Sequence, residues 1–118
     1  MKKLLVVDDD ERIIESIHLV LDKSLQITDA SCKEEALHAF TSRKPDVILL
    51  DIEFHGIPDG WKILQEIRSR DKNVIIFLMS ANGSYKDHSL ACQADGFFHK
   101  PFSPQELKDI LRKKGMME

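Results

Sequence analysis

Hydrophobic and polar positions along the chain repeat in five similar units. Each unit opens with a short apolar run, typical of a buried strand, and continues with apolar residues three or four apart, typical of an amphipathic helix. The runs predict five strands, β1 to β5, at residues 4–7, 26–30, 47–50, 74–79 and 96–99. The periodic segments predict five helices, α1 to α5, at residues 11–23, 33–42, 61–70, 84–92 and 104–113. This alternation predicts an α/β fold, a flavodoxin-like doubly wound (βα)5 domain whose parallel sheet has the strand order 2-1-3-4-5.

Local sequence signals support several of these helices. Asp10 is a predicted N-cap for α1, and capping boxes are predicted from Ser31 with Glu34 for α2 and from Ser103 with Glu106 for α5. Helix α4 has the fewest apolar anchors, so we expect its packing to be the weakest. The apolar faces of the other helices are predicted to be Ile13, Ile14, Ile17, Val20 and Leu21 in α1; Ala36, Leu37 and Phe40 in α2; Trp61, Leu64 and Ile67 in α3; and Leu107, Ile110 and Leu111 in α5.

Composition narrows the class of protein. A chain of 118 residues with 42% hydrophobic and 31% charged residues predicts one globular domain and argues against disorder. A net charge of −3 predicts no attraction to nucleic acid or to anionic membranes. The first apolar run stops at acidic residues 8–11, too early for a signal peptide, and no run approaches the roughly 20 apolar residues of a membrane span. Cys32 and Cys92 are isolated, which predicts reduced thiols and a cytoplasmic location.

The candidate chemistry lies at the ends of four predicted strands. In the order 2-1-3-4-5, strands β1, β3, β4 and β5 are neighbours, and their carboxyl ends carry Asp8 and Asp9, Asp51, Ser80 and Lys100. Open parallel sheets bind ligands just outside this edge. We therefore expect three carboxylates, one hydroxyl and one ammonium to lie close together.

Such a set of groups suits phosphoryl transfer. Converging carboxylates raise one another's pKa, and a divalent cation relieves that repulsion; hard oxygen ligands favour Mg²⁺. Asp51 is the predicted nucleophile, since carboxylates form aspartyl-phosphates. Lys100 and Ser80 are predicted to stabilise the transferred group by charge and by hydrogen bonding.

Each feature has a plainer explanation on its own. Asp51 could cap a turn, and the acidic run 8–11 could cap a helix. Ser80 could be a small residue before a turn at residues 82–83, and Lys100 could belong to a turn with the proline that follows it. Their coincidence at four neighbouring strand ends is hard to attribute to capping, so we favour a functional site.

Four motifs in order resemble one known family. They are Leu-Leu-Val-Val-Asp-Asp-Asp at residues 4–10, Val-Ile-Leu-Leu-Asp at 47–51, Leu-Met-Ser-Ala at 78–81 and Phe-Phe-His-Lys-Pro-Phe at 97–102. Together they resemble the receiver domain of two-component response regulators, of the chemotaxis-regulator type. The resemblance covers essentially the whole chain and implies one receiver domain at residues 1–118.

The resemblance implies a role for each acidic residue. Asp51 would accept a phosphoryl group from a sensor histidine kinase or a histidine phosphotransfer protein. Asp8, Asp9 and Asp51 would hold Mg²⁺, with Asp9 as the more direct ligand of the first two. The backbone carbonyl of Glu53, two residues past the acceptor, would also be a protein ligand.

The resemblance also implies a conformational switch. Ser80 and Lys100 would contact the phosphoryl group, and Phe97 would turn inward when the hydroxyl moves towards it. The Lys100–Pro101 bond would be cis, as is usual in the family. Downstream effectors would bind the face formed by α4, β5 and α5.

The chain departs from the family pattern in three places. Glu53 replaces a residue that is usually neutral, the loop after Asp51 is one residue longer with Pro58 displaced, and Ser80 replaces the commoner threonine. The first two bear on loop geometry and on the lifetime of the phosphoryl group. The Glu53 side chain is expected beside the opening to Asp51, where it could point outward, pair with Lys100 or orient a water molecule.

Three functions remain open from the sequence. The first is a phosphorylatable switch that is not an enzyme, because it promotes only its own phosphorylation and dephosphorylation. The second is a small phosphohydrolase with an aspartate nucleophile, suggested by Asp51 and Glu53 two residues later; the third is an interaction module that works without phosphorylation. Small phosphodonors with Mg²⁺ distinguish them, since only the first predicts modification of Asp51 with a conformational change. The kinase, the output and whether the chain acts alone or within a longer protein stay open.

Overall fold

Short apolar segments assemble into a five-stranded parallel sheet. The structure is a computed structural model that describes residues 1–118. Its strands are β1 (Lys3–Val7), β2 (Gln26–Ala30), β3 (Val47–Asp51), β4 (Ile75–Ser80) and β5 (Gly96–His99). Neighbouring strands are parallel throughout, in the order β2-β1-β3-β4-β5. The predicted doubly wound topology is therefore confirmed.

Five helices connect the strands. They are α1 (Glu11–Leu21), α2 (Lys33–Arg43), α3 (Gly60–Arg70), α4 (Lys86–Ala91) and α5 (Pro104–Lys113). Helix α4 is shorter than predicted because Gly83–Tyr85 form a separate 3-10 turn ahead of it. None of these helices combines the length and the apolar character needed to cross a membrane.

The sheet has an apolar cluster on each face, which explains why its strand sequences are continuous rather than alternating. Leu49 of β3 belongs to the cluster under α1 and α5, and its neighbour Leu50 belongs to the cluster under α2 and α3. All five residues of β3 are buried. The central strand therefore carries its last residue, Asp51, to a fixed point at the carboxyl edge.

The helix faces pack largely as predicted. The fully buried members of the predicted faces are Ile17, Leu21, Ala36, Leu64, Ile67, Leu107 and Leu111. Ala39 and Ile63 are also buried, although they were not among the predicted residues, and Trp61 is only partly buried.

Two predicted helix caps are confirmed. The Arg12 backbone N–H donates to Asp10 Oδ1 at 3.0 Å at the start of α1. At the start of α5, the Glu106 backbone N–H donates to Ser103 Oγ at 3.1 Å and the Glu106 carboxylate accepts from the Ser103 backbone N–H, which completes the capping box. The bonds accepted by the Asp10 and Ser103 side chains satisfy N–H groups that have no partner inside the helix.

The predicted capping box of α2 is wrong by one residue. Cys32, not Ser31, occupies the N-cap position, and its side chain makes no capping bond. The backbone N–H and the hydroxyl of Ser31 both donate to Glu35 Oε1, at 2.8 and 2.9 Å. Because the helix begins one residue later than a Ser31 cap requires, Glu35 rather than Glu34 reaches back to Ser31.

The predicted start of β4 is also shifted by one residue. Val74 lies in the preceding turn, where its N–H donates to Asp71 Oδ1 at 3.1 Å and its carbonyl accepts from Arg68 Nη1 at 2.7 Å. Its backbone groups are therefore used outside the sheet, and the strand runs on to Ser80.

Candidate functional site

Four strand ends meet at one edge of the sheet. Asp51 and Ser80 are the last residues of β3 and β4, and Asp8 and Lys100 directly follow β1 and β5. Asp8, Asp51 and Ser80 are almost fully buried, with exposed fractions of 0%, 5% and 1%. The sheet topology thus places the four predicted groups side by side in a region of low solvent access.

One ammonium group links two of the carboxylates. Lys100 Nζ lies 2.8 Å from Asp8 Oδ2 and 3.4 Å from Asp51 Oδ1. One carboxylate oxygen from each of Asp8, Asp9 and Asp51 lies within 4.8 Å of the others. Three carboxylates therefore face a single cation, which leaves a local surplus of negative charge.

The charge surplus shifts the pKa of the groups in the site. Burial and the neighbouring charge of Asp8 raise the pKa of Asp51 to about 7, although Lys100 partly opposes this increase. Burial acts to lower the pKa of Lys100, but its hydrogen bond to Asp8 and the negative charges of Asp51 and Asp8 outweigh it and raise that pKa. The arrangement therefore stabilises a positive charge and disfavours a further negative one.

The carboxylate cluster fits a magnesium ion. Its donors are hard oxygen atoms on Asp8, Asp9 and Asp51, the ligand type that Mg²⁺ prefers. The loop orients Asp9, because the His55 backbone N–H donates to Asp9 Oδ2 at 2.9 Å. The role of the Glu53 carbonyl stays a prediction, since the contacts of Glu53 in the structure involve its N–H and its carboxylate.

The Glu53 side chain neither points outward nor pairs with Lys100, and its role in orienting a water molecule stays a prediction. Ser80 Oγ donates to Glu53 Oε1 at 3.2 Å, and the Asn82 backbone N–H donates to Ser80 Oγ at 2.9 Å. The Glu53 backbone N–H lies 3.4 Å from Asp51 Oδ1. Spacing along the chain gave no signal of the Glu53–Ser80 contact, because the two residues are 27 positions apart.

The longer loop after Asp51 is accommodated by a tight turn. Phe54 and Ile57 pair through two backbone hydrogen bonds, with His55 and Gly56 between them at φ values of 53° and 79°. Two left-handed central residues are what a two-residue hairpin turn requires. The additional residue therefore enters a local turn and leaves the strand end undisturbed.

Helix α3 begins in direct contact with the acceptor strand. The Gly60 N–H donates to the Ile52 carbonyl at 2.8 Å, and a Cβ atom at position 60 would overlap the Asp51 carbonyl oxygen and the Ile52 Cα. Only glycine allows this close approach. Gly60 therefore helps to fix the backbone that carries the candidate nucleophile.

The segment after β5 agrees with the expected backbone. The Lys100–Pro101 peptide bond is cis. Phe97 is partly buried and packs against the cluster under α2 and α3. Its predicted inward turn on phosphorylation stays a prediction.

A buried arginine at the opposite edge of the sheet has no counterpart in the sequence predictions. Arg68 Nε donates to the Gln93 carbonyl at 2.9 Å, and Nη2 lies 2.9 Å from Asp95 Oδ2. Arg68 Nη1 donates to the carbonyls of Val74 and Asp71, at 2.7 and 3.3 Å. These bonds hold the segment after α4 against the end of α3.

An aromatic contact connects α3 to α4. The Trp61 ring meets the Tyr85 ring edge-on at a centroid distance of 5.6 Å and the His88 ring at 4.5 Å. Trp61 is the only tryptophan in the chain, so it offers an intrinsic fluorescent reporter of the position of α4.

Known structures share this fold. A CheY-like receiver domain from Methanospirillum hungatei matches this chain with a TM-score of 0.86 and 23% identity. The match covers 97% of this chain and 93% of that domain. At this identity the likeness supports the fold alone. The response regulator TrrA from Thermotoga maritima, solved in complex with Mg²⁺-BeF, is 37% identical with a TM-score of 0.84; the match covers 96% of this chain and 98% of TrrA.

Sequence comparisons place the chain in a family. The model of the response regulator receiver domain matches residues 4–112. The probable transcriptional regulator ycf27 of Guillardia theta is 38% identical over 94% of this chain and 44% of its own length. The transcriptional regulatory protein PhoP of Bacillus subtilis, which regulates alkaline phosphatase synthesis, is 35% identical over 95% of this chain and 49% of its own length.

The chain therefore belongs to the response regulator receiver family of two-component signalling. Phosphorylation on an aspartate, use of Mg²⁺ and interaction with histidine kinases and effectors are general to this family. The chain spans about half the length of the curated relatives it matches.

Proposed function

We propose that this chain is a phosphorylated switch in a two-component phosphorelay, with Asp51 as the phosphoacceptor. The observation that carries the proposal is the contact of Lys100 Nζ with both Asp8 and Asp51, at 2.8 and 3.4 Å, beside three clustered carboxylates. A nucleophilic carboxylate, a fixed cation and a set of hard oxygen donors are the groups that phosphoryl transfer requires.

The phosphoryl donor would be a phosphohistidine on a histidine kinase or on a histidine phosphotransfer protein. An Asp51 carboxylate oxygen forms a bond to phosphorus as the phosphorus–nitrogen bond breaks, and the electron pair of that bond stays on the imidazole. Hydrolysis later forms a phosphorus–oxygen bond to water as the bond from phosphorus to the Asp51 oxygen breaks, which restores the carboxylate and releases inorganic phosphate. The chain promotes only these two steps on itself, so we propose that it is a signalling switch and not an enzyme with a separate substrate.

Each neighbour of Asp51 has a proposed role. Lys100 stabilises the charge on the transferred group, and Ser80 donates a hydrogen bond to it. Asp8, Asp9 and Asp51, with the Glu53 carbonyl as the resemblance implies, would hold Mg²⁺, which supplies positive charge beside the phosphoryl oxygens when bound. The Mg²⁺-BeF complex of TrrA, 37% identical to this chain, supports this proposal.

The proposed output is a change in the face formed by α4, β5 and α5. Ser80 lies at the start of the segment that leads to α4 and pairs with His99 of β5 in the sheet, so displacement of the hydroxyl would reach both elements. A downstream effector would bind this face. The two unpaired cysteines support the predicted cytoplasmic location, which belongs to the same proposal.

The relatives named above bear on the expected partners. The charge of −3 predicts no direct binding of nucleic acid by these 118 residues. The curated relatives are transcriptional regulators about twice as long as this chain. The predicted absence of nucleic-acid binding is therefore not extended to a longer protein that contains this chain. We therefore restrict the predicted absence of nucleic-acid binding to the receiver itself.

The test is the incorporation of a phosphoryl group from acetyl phosphate, measured by intact-protein mass spectrometry. With Mg²⁺ the wild type should gain one phosphoryl group, and without Mg²⁺ it should gain far less. Asp51→Asn should gain none, whereas Asp59→Asn, which changes an acidic residue of the same loop outside the cluster, should behave like the wild type. Phosphorylation of Asp51→Asn to the wild-type extent would refute the assignment.

The same experiment separates the alternative functions. Continuous release of phosphate from simple phosphate esters would favour a phosphohydrolase. The absence of any modification or conformational response would favour an interaction module that works without phosphorylation.

A further inference from the structure

The hydroxyl group of Ser80 is already engaged before any phosphoryl group is present. Ser80 is 1% exposed, and its Oγ donates to Glu53 Oε1 at 3.2 Å while accepting from the Asn82 N–H at 2.9 Å. A serine hydroxyl carries a single proton and can donate one hydrogen bond at a time. It therefore cannot donate to a phosphoryl oxygen while it donates to Glu53.

The acceptor in this contact resembles the group that would replace it. The Glu53 carboxylate is an anionic oxygen acceptor, as is a phosphoryl group, and hydrogen bonds to charged acceptors are stronger than those between neutral groups. Its side chain is only partly exposed, and its backbone lies beside Asp51, with the Glu53 N–H 3.4 Å from Asp51 Oδ1. Glu53 is thus an anionic acceptor that the chain itself places at the site.

The contact also extends to the start of α4. Asn82 donates its N–H to Ser80 Oγ, and its own side chain accepts from the N–H and the hydroxyl of Ser84, at 3.0 and 2.6 Å. Ser84 lies in the 3-10 turn that leads into α4. A continuous series of hydrogen bonds therefore runs from Glu53 through Ser80 and Asn82 to this helix.

We propose that the Glu53 carboxylate is the resting-state partner of the Ser80 hydroxyl and competes for it with the phosphoryl group on Asp51. While the contact persists, it holds Ser80 and the start of α4 in the unphosphorylated arrangement. When Asp51 is phosphorylated, the hydroxyl transfers its hydrogen bond from Glu53 to the phosphoryl oxygen. Glu53 is thus a positioning residue that sets how readily the switch responds; this inference rests on the proposed function of Asp51.

Two substitutions separate the hydrogen bond from the charge. Glu53→Gln keeps an oxygen acceptor of the same size and removes the charge, whereas Glu53→Ala removes both. Neither changes the backbone carbonyl at position 53. Each is made in the wild type and in a Ser80→Ala background, where no hydroxyl remains to be held.

The first measurement is the apparent affinity for beryllofluoride in the presence of Mg²⁺, with the fluorescence of Trp61 as the signal. Both Glu53 variants should bind more tightly than the wild type, because the like charge is gone. Glu53→Ala should exceed Glu53→Gln severalfold, up to about tenfold, since only the alanine variant frees the hydroxyl. In the Ser80→Ala background the two Glu53 variants should bind equally.

A second measurement requires neither metal nor beryllofluoride. Amide hydrogen exchange at Asn82 reports the hydrogen bond that Ser80 Oγ accepts, and it should be faster in Glu53→Ala than in Glu53→Gln or the wild type. This measurement uses only Glu53 variants, so it holds even if Ser80→Ala does not fold. Equal exchange at Asn82 in all three proteins would overturn the inference.

The outcomes also separate this inference from the proposed function. If the wild type and every variant fail to respond to beryllofluoride, the proposed function fails, and the competition fails with it. If all bind, but the alanine and glutamine variants have the same affinity in both backgrounds, Asp51 keeps its role and the competition alone is overturned.

Discussion

Two ion pairs lie at opposite edges of the same sheet, and they differ in how completely their charges are matched. At the amino edge, one guanidinium, Arg68, contacts one carboxylate, Asp95, at 2.9 Å and donates to three backbone carbonyls as well. At the carboxyl edge, one ammonium, Lys100, faces three carboxylates, including Asp8 and Asp51, at 2.8 and 3.4 Å. Both cations are largely buried.

The difference shows which of the two regions is built for stability. Around Arg68 each guanidinium nitrogen has an acceptor, so the native structure matches this charge without a ligand. Around Lys100 the excess of negative charge raises the pKa of Asp51 to about 7, and a further cation would relieve it. Charge left unbalanced in a buried site is a mark of function rather than of packing, since it lowers stability until a ligand arrives.

The largest expected effect on stability is at the ion pair of Arg68 and Asp95, whose charges are matched. Arg68→Ala removes the counter-charge of Asp95, which keeps only the Ile76 N–H as a donor, and removes the Arg68 donor of three carbonyls. We therefore expect unfolding to become about 4 kcal/mol more favourable. Arg70→Ala is the matched control, since Arg70 is exposed and pairs with Glu66 at 2.9 Å on the same helix. It should cost about 0.5 kcal/mol or less in urea denaturation. Equal costs for the two variants would mean that the Arg68 network adds no stability beyond that of a surface pair.

Substitution of Asp51 at the carboxyl edge should raise the stability of the protein rather than lower it. Folding raises the pKa of Asp51 from an ordinary value near 3.8 to about 7. The native state therefore binds more protons between these values, and ionisation of Asp51 costs stability progressively as the pH rises from about 4 to 7. Asp51→Asn avoids that cost.

We expect Asp51→Asn to match the wild type near pH 4 and to exceed its stability above pH 7. The full shift converts to about 4 kcal/mol, and with water at the open edge of the site we expect about 2 kcal/mol of it to be realised. Chemical denaturation across this pH range, without metal, measures the difference. Glu15→Gln, which removes an exposed carboxylate of α1, is the control and should show little change. A stability gain for Asp51→Asn that is independent of pH would contradict the prediction.

Mg²⁺ should stabilise the folded protein by binding to the clustered carboxylates at the carboxyl edge of the sheet. At a Mg²⁺ concentration ten times its Kd, the free energy of unfolding should rise by about 1.4 kcal/mol. Asp9→Ala should lose most of that increment, because it removes one of the three clustered carboxylates.

Asp10→Ala is the matched control for this experiment. Asp10 neighbours Asp9 but lies outside the cluster and caps α1 instead. Its substitution should lower stability by about 1 kcal/mol through loss of the cap, while the increment from Mg²⁺ stays as in the wild type. Thermal melts that coincide with and without Mg²⁺ in the wild type would show that the acidic cluster is structural.

The same contrast explains what the sequence could predict. Strand ends at the carboxyl edge are ordered by topology, so once five βα units are recognised, Asp8, Asp51, Ser80 and Lys100 must be neighbours. The apolar runs and the caps at Asp10 and Ser103 are local signals, and the structure confirms them. Prediction of these features needs only short segments of sequence and the general rules by which strands are connected in a sheet.

What the sequence could not predict depends on contacts between distant segments. Arg68 looks like a surface cation at the end of an amphipathic helix, and nothing local shows that its partner is Asp95. The Glu53–Ser80 bond likewise joins a loop to a strand end. The misassigned cap at Ser31 has a local cause: Ser31 and Glu34 have the spacing of a capping box. The helix starts one residue later than that spacing implies, which makes Glu35 its third residue.

The smallest expected effect lies in α4, which connects the two edges. Its start is linked to the site through Ser80 and Asn82. Two residues after its end, the Gln93 carbonyl accepts a hydrogen bond from Arg68 Nε at 2.9 Å. When beryllofluoride and Mg²⁺ are added, amide exchange should change severalfold near residues 81–88 and little at 93–95, because only the first end is attached to the group that moves.

Substitution of Arg68 sharpens this prediction. Without the guanidinium the far end of α4 loses its attachment, so in Arg68→Ala the change in exchange should spread from residues 81–88 into 93–95. Arg70→Ala should keep the wild-type gradient, which distinguishes loss of this attachment from general loss of charge on α3. Unchanged exchange from Ser84 to His99 in the wild type would exclude movement of α4. A uniform change along the whole helix would show that it moves as a rigid unit, and that the balanced ion pair does not restrain it.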